Sequence, residues 1–229
     1  MSENSITVTL DKRLAPVFAA VGAVLGFALS FAVGPVVGWM LETVDGAPAP
    51  LRLLDQLPFV VLLPGLTVAG LIAGWIVFGI WGEEVGEIRV DPDELVLRSG
   101  KRRSSYRREE IAEIFLDKDE LVLLDPRSRE LSRTTSDSGL AAKLSEAFGR
   151  FDYPWAGTAD PREELFTRWV DRSRDLQPHV HDLLRSRSRA LADGRTGAAE
   201  EVRDELLRHG VVVRDRDGEQ QYRTVEPES

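Results

Sequence analysis

Two long uncharged stretches in the first third of the chain constrain its fold more than any other feature. No charged side chain occurs from Leu14 to Leu41 or from Leu57 to Gly82. Each stretch exceeds the roughly 20 apolar residues that a helix needs to cross a bilayer. As core helices of a soluble domain, they would be apolar on all sides with little polar chain to cover them. The sequence therefore predicts a hairpin of two transmembrane helices over residues 14–82.

Lysine and arginine residues near these stretches predict the orientation. Lys12 and Arg13 precede the first stretch, and only Arg52 lies between the two. Because basic loops stay in the cytosol, both termini are expected on the cytoplasmic side of the cell (inner) membrane. A cleaved signal peptide is the alternative for the first stretch, and it would leave the orientation of the tail unchanged. The basic residues that follow the second stretch are Arg89, Arg98, Lys101, Arg102 and Arg103.

Three pairs of glycines in the stretches have the small-xxx-small spacing that allows two helices to approach closely in lipid. Packing within one hairpin and formation of a homodimer both explain this spacing, and the sequence leaves the choice open. The pairs are Gly22 with Gly26, Gly34 with Gly38, and Gly70 with Gly74.

The composition disfavours several classes of function. The chain has no cysteine, so a disulfide framework, a thiolate metal site and a cysteine nucleophile are ruled out. No ionisable residue lies inside either stretch, whereas channels and transporters usually carry such residues along their ion paths. His179 and His181 are two residues apart and do not share a helix face, so no metal is expected. We expect neither a cofactor nor an enzymatic activity.

Short alternating segments follow the second stretch and predict strands of an antiparallel meander. Turn-forming residues such as Asp91-Pro92-Asp93 and Ser99-Gly100 separate them. An amphipathic helix capped by Ser136 or Asp137 is expected to close the sheet, with Leu140, Leu144, Ala147, Phe148 and Phe151 on its apolar face. The predicted strands are 85–90, 94–98, 104–107, 111–116, 120–124 and 129–134.

The region 83–155 resembles the pleckstrin-homology-like domain of YqeB-like bacterial membrane proteins. The resemblance depends on the strand order, on apolar residues such as Leu95, Tyr106 and Ile111, and on the ending Phe151-Asp152-Tyr153-Pro154-Trp155. It implies recognition of a lipid headgroup or of a protein partner, and it brings no catalytic motif. A fold alone does not fix a function, so these partners are expectations.

A basic cluster close to the membrane exit gives the lipid expectation a location. Cations near an anionic leaflet each contribute about 1 kcal/mol of binding free energy. The alternative is an exposed hairpin whose charges pair with Glu109, Glu110 and Glu113. The possible lipid contacts are Lys101, Arg102, Arg103, Arg107 and Arg108.

The region 156–225 predicts a small helical module that ends in a β-hairpin, followed by a tail over residues 226–229. After a linker, Asp160-Pro161 is expected to start a first helix with Leu165, Phe166, Trp169 and Val170 on one face. A second helix follows Gln177-Pro178, a third extends from about Gly197 to His209, and Asp217-Gly218 forms the turn of the hairpin.

The stretch from Arg189 to Arg223 is similar to the end of cysteinyl-tRNA synthetases. The similarity includes Val202-Arg203-Asp204-Glu205-Leu206, Gly210-Val211 and Gly218, although Tyr222 stands where that family tends to have tryptophan. It leaves tRNA binding open, but acidic residues outnumber basic ones in the module, which disfavours nucleic acid. The possible RNA contacts are Arg185, Arg187, Arg189 and Arg195.

The sequence as a whole predicts a membrane α-helical hairpin plus an α+β cytosolic part. That part consists of the pleckstrin-homology-like β domain with its terminal helix and the helical module with its β-hairpin. The expected role is binding or scaffolding at the cytosolic face, with membrane lipids and an unidentified protein as partners. A membrane-tethered RNA-binding protein and an anionic-lipid-sensing module are the alternatives.

Overall fold

A computed structural model describes residues 5–43, 58–100 and 102–226, without the side chains of residues 37–43 and Glu84. The chain divides into two compact units. One unit contains Met1–Val8 together with Glu87–Ser229, and the other contains Thr9–Gly86. The first is called the PH-like unit below, and the second is the helical hairpin.

The helical hairpin consists of two long apolar helices, as predicted. Helix α1 is Leu14–Thr43 and helix α2 is Phe59–Val85. Their segments Leu14–Val36 and Phe59–Glu83 are long and apolar enough to cross a membrane. Apolar side chains point away from the partner helix, since Val24 is 66% exposed and Val60 is 78% exposed. Such outward faces suit a hydrocarbon environment.

The two helices pack through four of the six predicted glycines. A Cβ atom added to Gly22 would overlap with the carbonyl group of Gly70, and one added to Gly70 would overlap with that of Gly22. Additions at Gly26 and Gly74 would meet the carbonyl groups of Leu66 and Phe18 in the same way. By contrast, Gly34 has no atom within 4 Å of the added position, and the surroundings of Gly38 lie outside the described residues.

The first sheet of the PH-like unit contains an unexpected strand from the amino terminus. It has the order β1-β2-β3-β4, where β1 is Ile6–Thr9, β2 is Glu87–Val90, β3 is Glu94–Ser99 and β4 is Arg102–Arg107. Strand β1 precedes α1 in the chain, whereas β2 follows α2. The helical hairpin is therefore an insertion between two neighbouring strands of one sheet.

The second sheet has the order β7-β6-β5-β8. Three of its strands, β5 (Glu113–Asp117), β6 (Glu120–Leu124) and β7 (Glu130–Thr135), form the expected antiparallel meander. Strand β8 (Trp155–Gly157) pairs in parallel with β5 and was not predicted. Helix α3 (Ala141–Arg150) packs Leu144, Ala147 and Phe148 into the core, as the sequence indicated.

The prediction of a first helix in the carboxy-terminal module is wrong. The Asp160 carboxylate accepts a hydrogen bond from the Arg162 amide at 2.8 Å, and only a short 3-10 turn, Glu163–Leu165, follows. The chain then forms β9 (Thr167–Arg168), which pairs with the terminal hairpin. Leu165 and Val170 are 63% and 60% exposed, so the predicted apolar face is not buried.

The remaining elements of the module agree with the sequence. Helices α4 (Pro178–Ala192) and α5 (Thr196–Arg208) precede the hairpin of β10 (Val211–Arg216) and β11 (Glu219–Thr224). The sheet has the order β10-β11-β9. Their shared core contains Val180, Leu184, Leu206, Val211, Val213 and Tyr222.

Candidate binding surfaces of the PH-like unit

Strand β4 forms one edge of the first sheet and is unusually exposed. Its pairing with β3 continues without a shift from the Glu94–Arg107 pair to the Ser99–Arg102 pair. Five of its six residues are exposed, and Tyr106 is half-buried. The turn between the strands contains Gly100 at a φ of 55°, in the left-handed region that glycine tolerates best. The sheet therefore ends in a regular strand with an open side.

The register shows which amide groups of β4 point outward. The residue pair that flanks a two-residue turn is hydrogen-bonded, and along an antiparallel ladder hydrogen-bonded pairs alternate with pairs that are not hydrogen-bonded. Arg102, Ser104 and Tyr106 thus bond to β3, and the amides of Arg103 and Ser105 face the free side. The Arg107 amide, which belongs to the outward set, donates to Glu110 Oε2 at 3.2 Å instead. This last contact supports the assigned alternation.

Three arginines near the free side of β4 define a surface that we call the basic edge: Arg98, Arg102 and Arg103. All three are exposed. In the described ranges, their side chains make no hydrogen bond and no ion pair. Arg98 and Arg103 are direct cross-strand partners, so their charges lie on the same face of the sheet. Of the predicted lipid contacts, Arg102 and Arg103 belong to this edge, and Lys101 lies outside the described residues.

The other two predicted lipid contacts are engaged within the chain. Arg107 forms ion pairs with Glu109 at 2.6 Å and with Glu110 at 2.8 Å. The hydrogen bond from Arg107, with its charge, lowers the pKa of the Glu110 carboxyl. Arg108 donates to the carbonyl oxygen of Asp152 at 2.6 Å and lies 5.6 Å from the centre of the Tyr153 ring. Burial raises the pKa of that tyrosine to about 12.

A polar groove of about 780 Å³ adjoins β4. It is lined by β4, by β7 and by the first turns of α5, and Arg133 and Arg203 are its other arginines. Both are paired, since Arg203 lies 2.7 Å from Glu200 and Arg133 lies 2.6 Å from Glu120. Hydroxyl groups supply much of the remaining lining. They belong to Ser99, Ser104, Ser132, Thr134, Thr135 and Thr196.

A buried network of charges attaches the carboxy-terminal module to the strands of the PH-like domain. Asp117, at the end of β5, lies 3.1 Å from Arg133 on β7 and 3.4 Å from Arg214 on β10. Arg216 forms a further ion pair with the same carboxylate. The side chains of Asp117, Arg133 and Arg214 are 6%, 3% and 2% exposed. One carboxylate therefore contacts three cations from two parts of the chain.

The pKa values in this network follow from burial and charge. Burial alone would raise the pKa of Asp117, but the hydrogen bond and charge of Arg133, with the charges of Arg216 and Arg214, lower it. Asp160 has a raised pKa because burial and the charge of Asp117 outweigh its favourable contacts. The hydrogen bonds from Arg214 lower the pKa of Glu163. Asp117 and Glu163 are thus stabilised as carboxylates.

The contacts of Arg214 also explain why the segment that links the PH-like domain to the carboxy-terminal module is extended. Its guanidinium contacts Glu163 through two hydrogen bonds of 2.8 and 2.7 Å and lies 3.8 Å from the centre of the Phe166 ring. Phe166 therefore packs under a buried cation. A helix through this segment would separate these groups, so the tertiary contacts favour the extended path.

The four predicted RNA contacts differ in their surroundings. Arg187 is buried, and its guanidinium binds Gln220 at 2.8 Å and also Asp215. Arg185 pairs with Asp171 and Asp182, and Arg195 pairs with Asp193 at 2.8 Å. Arg189 donates to the carbonyl oxygen of Arg185 at 3.3 Å. The structure does not bring the four side chains together on one free surface.

One shallow hollow on the module combines an aromatic ring with two of these arginines. Its volume is about 380 Å³, and it is lined by Trp169, Arg185, Ser188 and Arg189. The Trp169 indole donates to His181 Nδ1 at 3.0 Å, and His181 Nε2 lies 3.1 Å from the Ser173 carbonyl oxygen. His181 is thus used in packing. The described ranges contain no cluster of three or more potential metal ligands.

The sequence missed the buried network, although one signal was available. Arg214 and Arg216 alternate with Asp215 at the end of an apolar strand, a pattern that indicates charged side chains on both faces. Their partner Asp117 is nearly 100 positions earlier, so no local spacing connects the two. Sequence reasoning also missed part of the basic edge, because only the strand register brings Arg98 next to Arg103.

The profile of the YqeB-like bacterial PH domain matches residues 6–156 of the chain, and thus begins with β1 and includes the helical hairpin. The chain belongs to this family. A relative of the chain is the uncharacterised protein YqeB of Bacillus subtilis (strain 168), which is 30% identical to it over 209 residues. The alignment covers 89% of this chain and 85% of that protein. No solved structure matches.

A second profile matches the end of the chain. It is that of the cysteinyl-tRNA ligase anticodon binding domain, and it includes residues 173–223. This match confirms the second resemblance and extends from just before α4 to β11. It covers the module without the segment that contains Asp160, Glu163 and Phe166.

Proposed function

We propose that the chain is a membrane-anchored binding protein whose PH-like unit acts at the cytosolic face. The observation that carries the proposal is the insertion of the helical hairpin between β1 and β2. Because these strands belong to one sheet, the chain must leave and re-enter the PH-like unit on the same side of a bilayer. Two spanning helices meet this requirement, and the basic residues on the side of the PH-like unit favour the cytosol.

The absence of cysteine from the chain permits a direct test of this topology. We expect single cysteines at Lys12 and Glu201 to react with a membrane-impermeant maleimide only after cells are permeabilised. A cysteine at Asp55, in the segment between the two apolar stretches, is expected to react in intact cells. Labelling of Lys12→Cys in intact cells, with Asp55→Cys protected, would contradict the proposed orientation. Equal labelling of all three variants in a detergent-free soluble fraction would contradict anchoring.

Binding is favoured over catalysis by the way in which the polar groups are used. The buried acidic groups of the network face arginines, and the exposed pairs near Arg107 are mutually neutralised. The basic edge adds three exposed cations on neighbouring strands, and within the described ranges their side chains are unpaired. Such an arrangement attracts an anionic surface or segment but supplies neither a nucleophile nor a general base.

Anionic lipid is one ligand that the basic edge supports. In nanodiscs, we expect a cysteine at Ser105 to react with maleimide several-fold more slowly when phosphatidylglycerol replaces part of the phosphatidylcholine, because each arginine near an anionic surface contributes about 1 kcal/mol. Replacing Arg98 and Arg103 by glutamine should remove the difference, and high salt should do the same. The matched control is Arg127→Gln, an exposed arginine in the β6–β7 turn. A lipid effect that survives the double substitution would exclude this ligand for the edge.

RNA is the second candidate ligand. The match to an anticodon binding domain supports it, as does the hollow that contains Trp169, Arg185 and Arg189. Against it, Arg185 and Arg195 are paired with carboxylates and Arg187 is buried. Unpaired cations provide most of the affinity for phosphate backbones. The basic edge is therefore the stronger candidate surface.

A further inference from the structure

We propose that β4 accepts an extended acidic segment of another protein as a fifth strand of the first sheet. This inference rests on the proposed function, since it names the partner class of the same cytosolic unit. Backbone hydrogen bonds from the free side of β4 would hold the segment, and the basic edge would select its acidic side chains. This mode is strand addition at an exposed sheet edge.

The backbone of β4 offers donors and acceptors at defined positions. The amide and carbonyl groups of Arg103 and Ser105 face the free side, and within the described residues no backbone or side-chain group pairs with them. The Arg107 amide is already bound by Glu110, so strand addition would end near Ser105. The incoming segment would therefore lie beside residues 102–105, the half of β4 next to the Gly100 turn.

Two other edge strands, β1 and β7, are less suited to pairing. Strand β1 has four residues, and its side chains are partly covered. Strand β7 has a register shift opposite Leu124, and two of its side chains, Glu130 and Arg133, are buried in the charge network. Natural proteins commonly protect sheet edges with such bulges and short strands. Strand β4 has neither a bulge nor a proline, so only its charges limit what can pair with it.

The charges of the basic edge determine which kind of partner can pair with β4. A second copy of this chain that paired through β4 would bring two sets of Arg102 and Arg103 together, and like charges across a strand pair are unfavourable. An acidic segment would instead face the unpaired guanidinium groups of Arg98 and Arg103 on one face. On the other face, Arg102 and the hydroxyl groups of Ser104 and Thr134 line the polar groove. The edge thus disfavours its own copy and favours a segment rich in glutamate or aspartate.

The test uses the full chain in nanodiscs of phosphatidylcholine alone, which removes anionic lipid. The probe is a labelled ten-residue peptide of alternating threonine and glutamate, and the control peptide has lysine in place of glutamate. We expect the acidic peptide to bind and the basic peptide not to bind. Arg102→Glu with Arg103→Glu should weaken the acidic peptide by at least about tenfold and allow the basic peptide to bind.

A backbone substitution separates strand addition from simple charge attraction. Ser105→Pro removes the outward amide while leaving the β3 ladder intact, since proline is tolerated where the N–H of an edge strand faces solvent. We expect it to weaken the acidic peptide roughly fivefold, the effect of a lost hydrogen bond. Ser105→Thr keeps the amide and should bind like the natural chain. Equal binding by the proline and threonine variants would overturn strand addition.

Amide hydrogen exchange in the unsubstituted chain keeps the test independent of any variant that fails to fold. Bound acidic peptide should slow the exchange of the Arg103 and Ser105 amides and leave the exposed turn at Arg127 unchanged. Absence of this protection at saturating peptide, or absence of binding, would overturn the inference. Because the lipid is neutral, such a result would not affect the lipid-docking experiment or the topology measured by cysteine labelling.

Discussion

Asparagine in place of Asp117 is expected to destabilise the PH-like unit by about 3 to 5 kcal/mol, the usual cost of removing one partner from a buried ion pair. Asp117 is 6% exposed and contacts Arg133, Arg214 and Arg216. Asparagine keeps the shape of the side chain but removes its charge. The arginines would then remain buried with less compensation. The measurement is urea unfolding of the full chain in detergent, followed by near-ultraviolet circular dichroism.

The neighbouring ion pair of Lys118 and Asp217 provides a matched control. It also joins the β5–β6 turn to the terminal hairpin, but its side chains are 58% and 82% exposed. An exposed pair contributes about 0 to 1 kcal/mol, so Lys118→Ala should leave the urea midpoint nearly unchanged. Equal losses for Asp117→Asn and Lys118→Ala would mean that the buried network does not stabilise the attachment of the module.

The loss of stability caused by Asp117→Asn is expected to depend on pH. Because the pKa of Asp117 is lowered on folding, its carboxylate contributes stability that is complete above the unfolded value, about pH 4. That contribution is lost as the pH falls through the lower folded value. The difference between the natural chain and Asp117→Asn should therefore be constant from pH 5 to 7 and shrink below about pH 4. A difference that grows on acidification would contradict the assigned direction.

Leucine in place of Gly70 is expected to separate the two helices, at a cost of about 3 kcal/mol or more, at the upper end of overpacking effects. The added side chain would begin in the space of the Gly22 carbonyl group, and a backbone cannot yield as a flexible side chain can. Close backbone approach is also the main source of helix association in lipid, where no hydrophobic effect acts between helices.

Cysteines at Phe18 and Phe78 can report this separation through a short cross-linker that joins two thiols, because the centres of the two rings lie 5.8 Å apart and the chain has no other cysteine. The cross-linker should join the pair in the otherwise natural chain and in Gly79→Leu, since an added side chain at Gly79 meets open space. We expect little joining in Gly70→Leu. Equal joining in the two leucine variants would show that the helices do not approach closely at Gly22 and Gly70.

Patterns of short range explain what the sequence predicts correctly. Short apolar runs place β3, β6 and β10, turn residues such as Asp217-Gly218 place the hairpins, and the spacing of Leu144 and Phe148 places α3. Each of these signals depends on neighbours within one element. The glycines at the helix crossing belong to the same class, although the spacing alone left packing within one chain and between two chains open.

The failures have a common physical cause in contacts between distant residues. Strand β1 is only four residues long and pairs with a strand about 80 positions later, so its alternation was not interpreted as part of the sheet. The predicted helix after Asp160 does not form, because the contacts of Arg214 with Glu163 and Phe166 favour an extended segment. Strand β8 is three residues long and exists because β5 has a free edge beside Pro154.

The position of the helical hairpin within the sheet has a consequence for biogenesis. During synthesis, Ile6–Thr9 emerges well before its partner Glu87–Val90, with both apolar helices between them. In the proposed two-span topology, the amino-terminal strand must therefore wait, unpaired, until the second helix has entered the bilayer and returned the chain to the starting side. A nascent chain whose second helix fails to insert would carry the two strands on opposite sides and could not complete its first sheet. In that topology, insertion of both helices is a precondition for completing the first sheet.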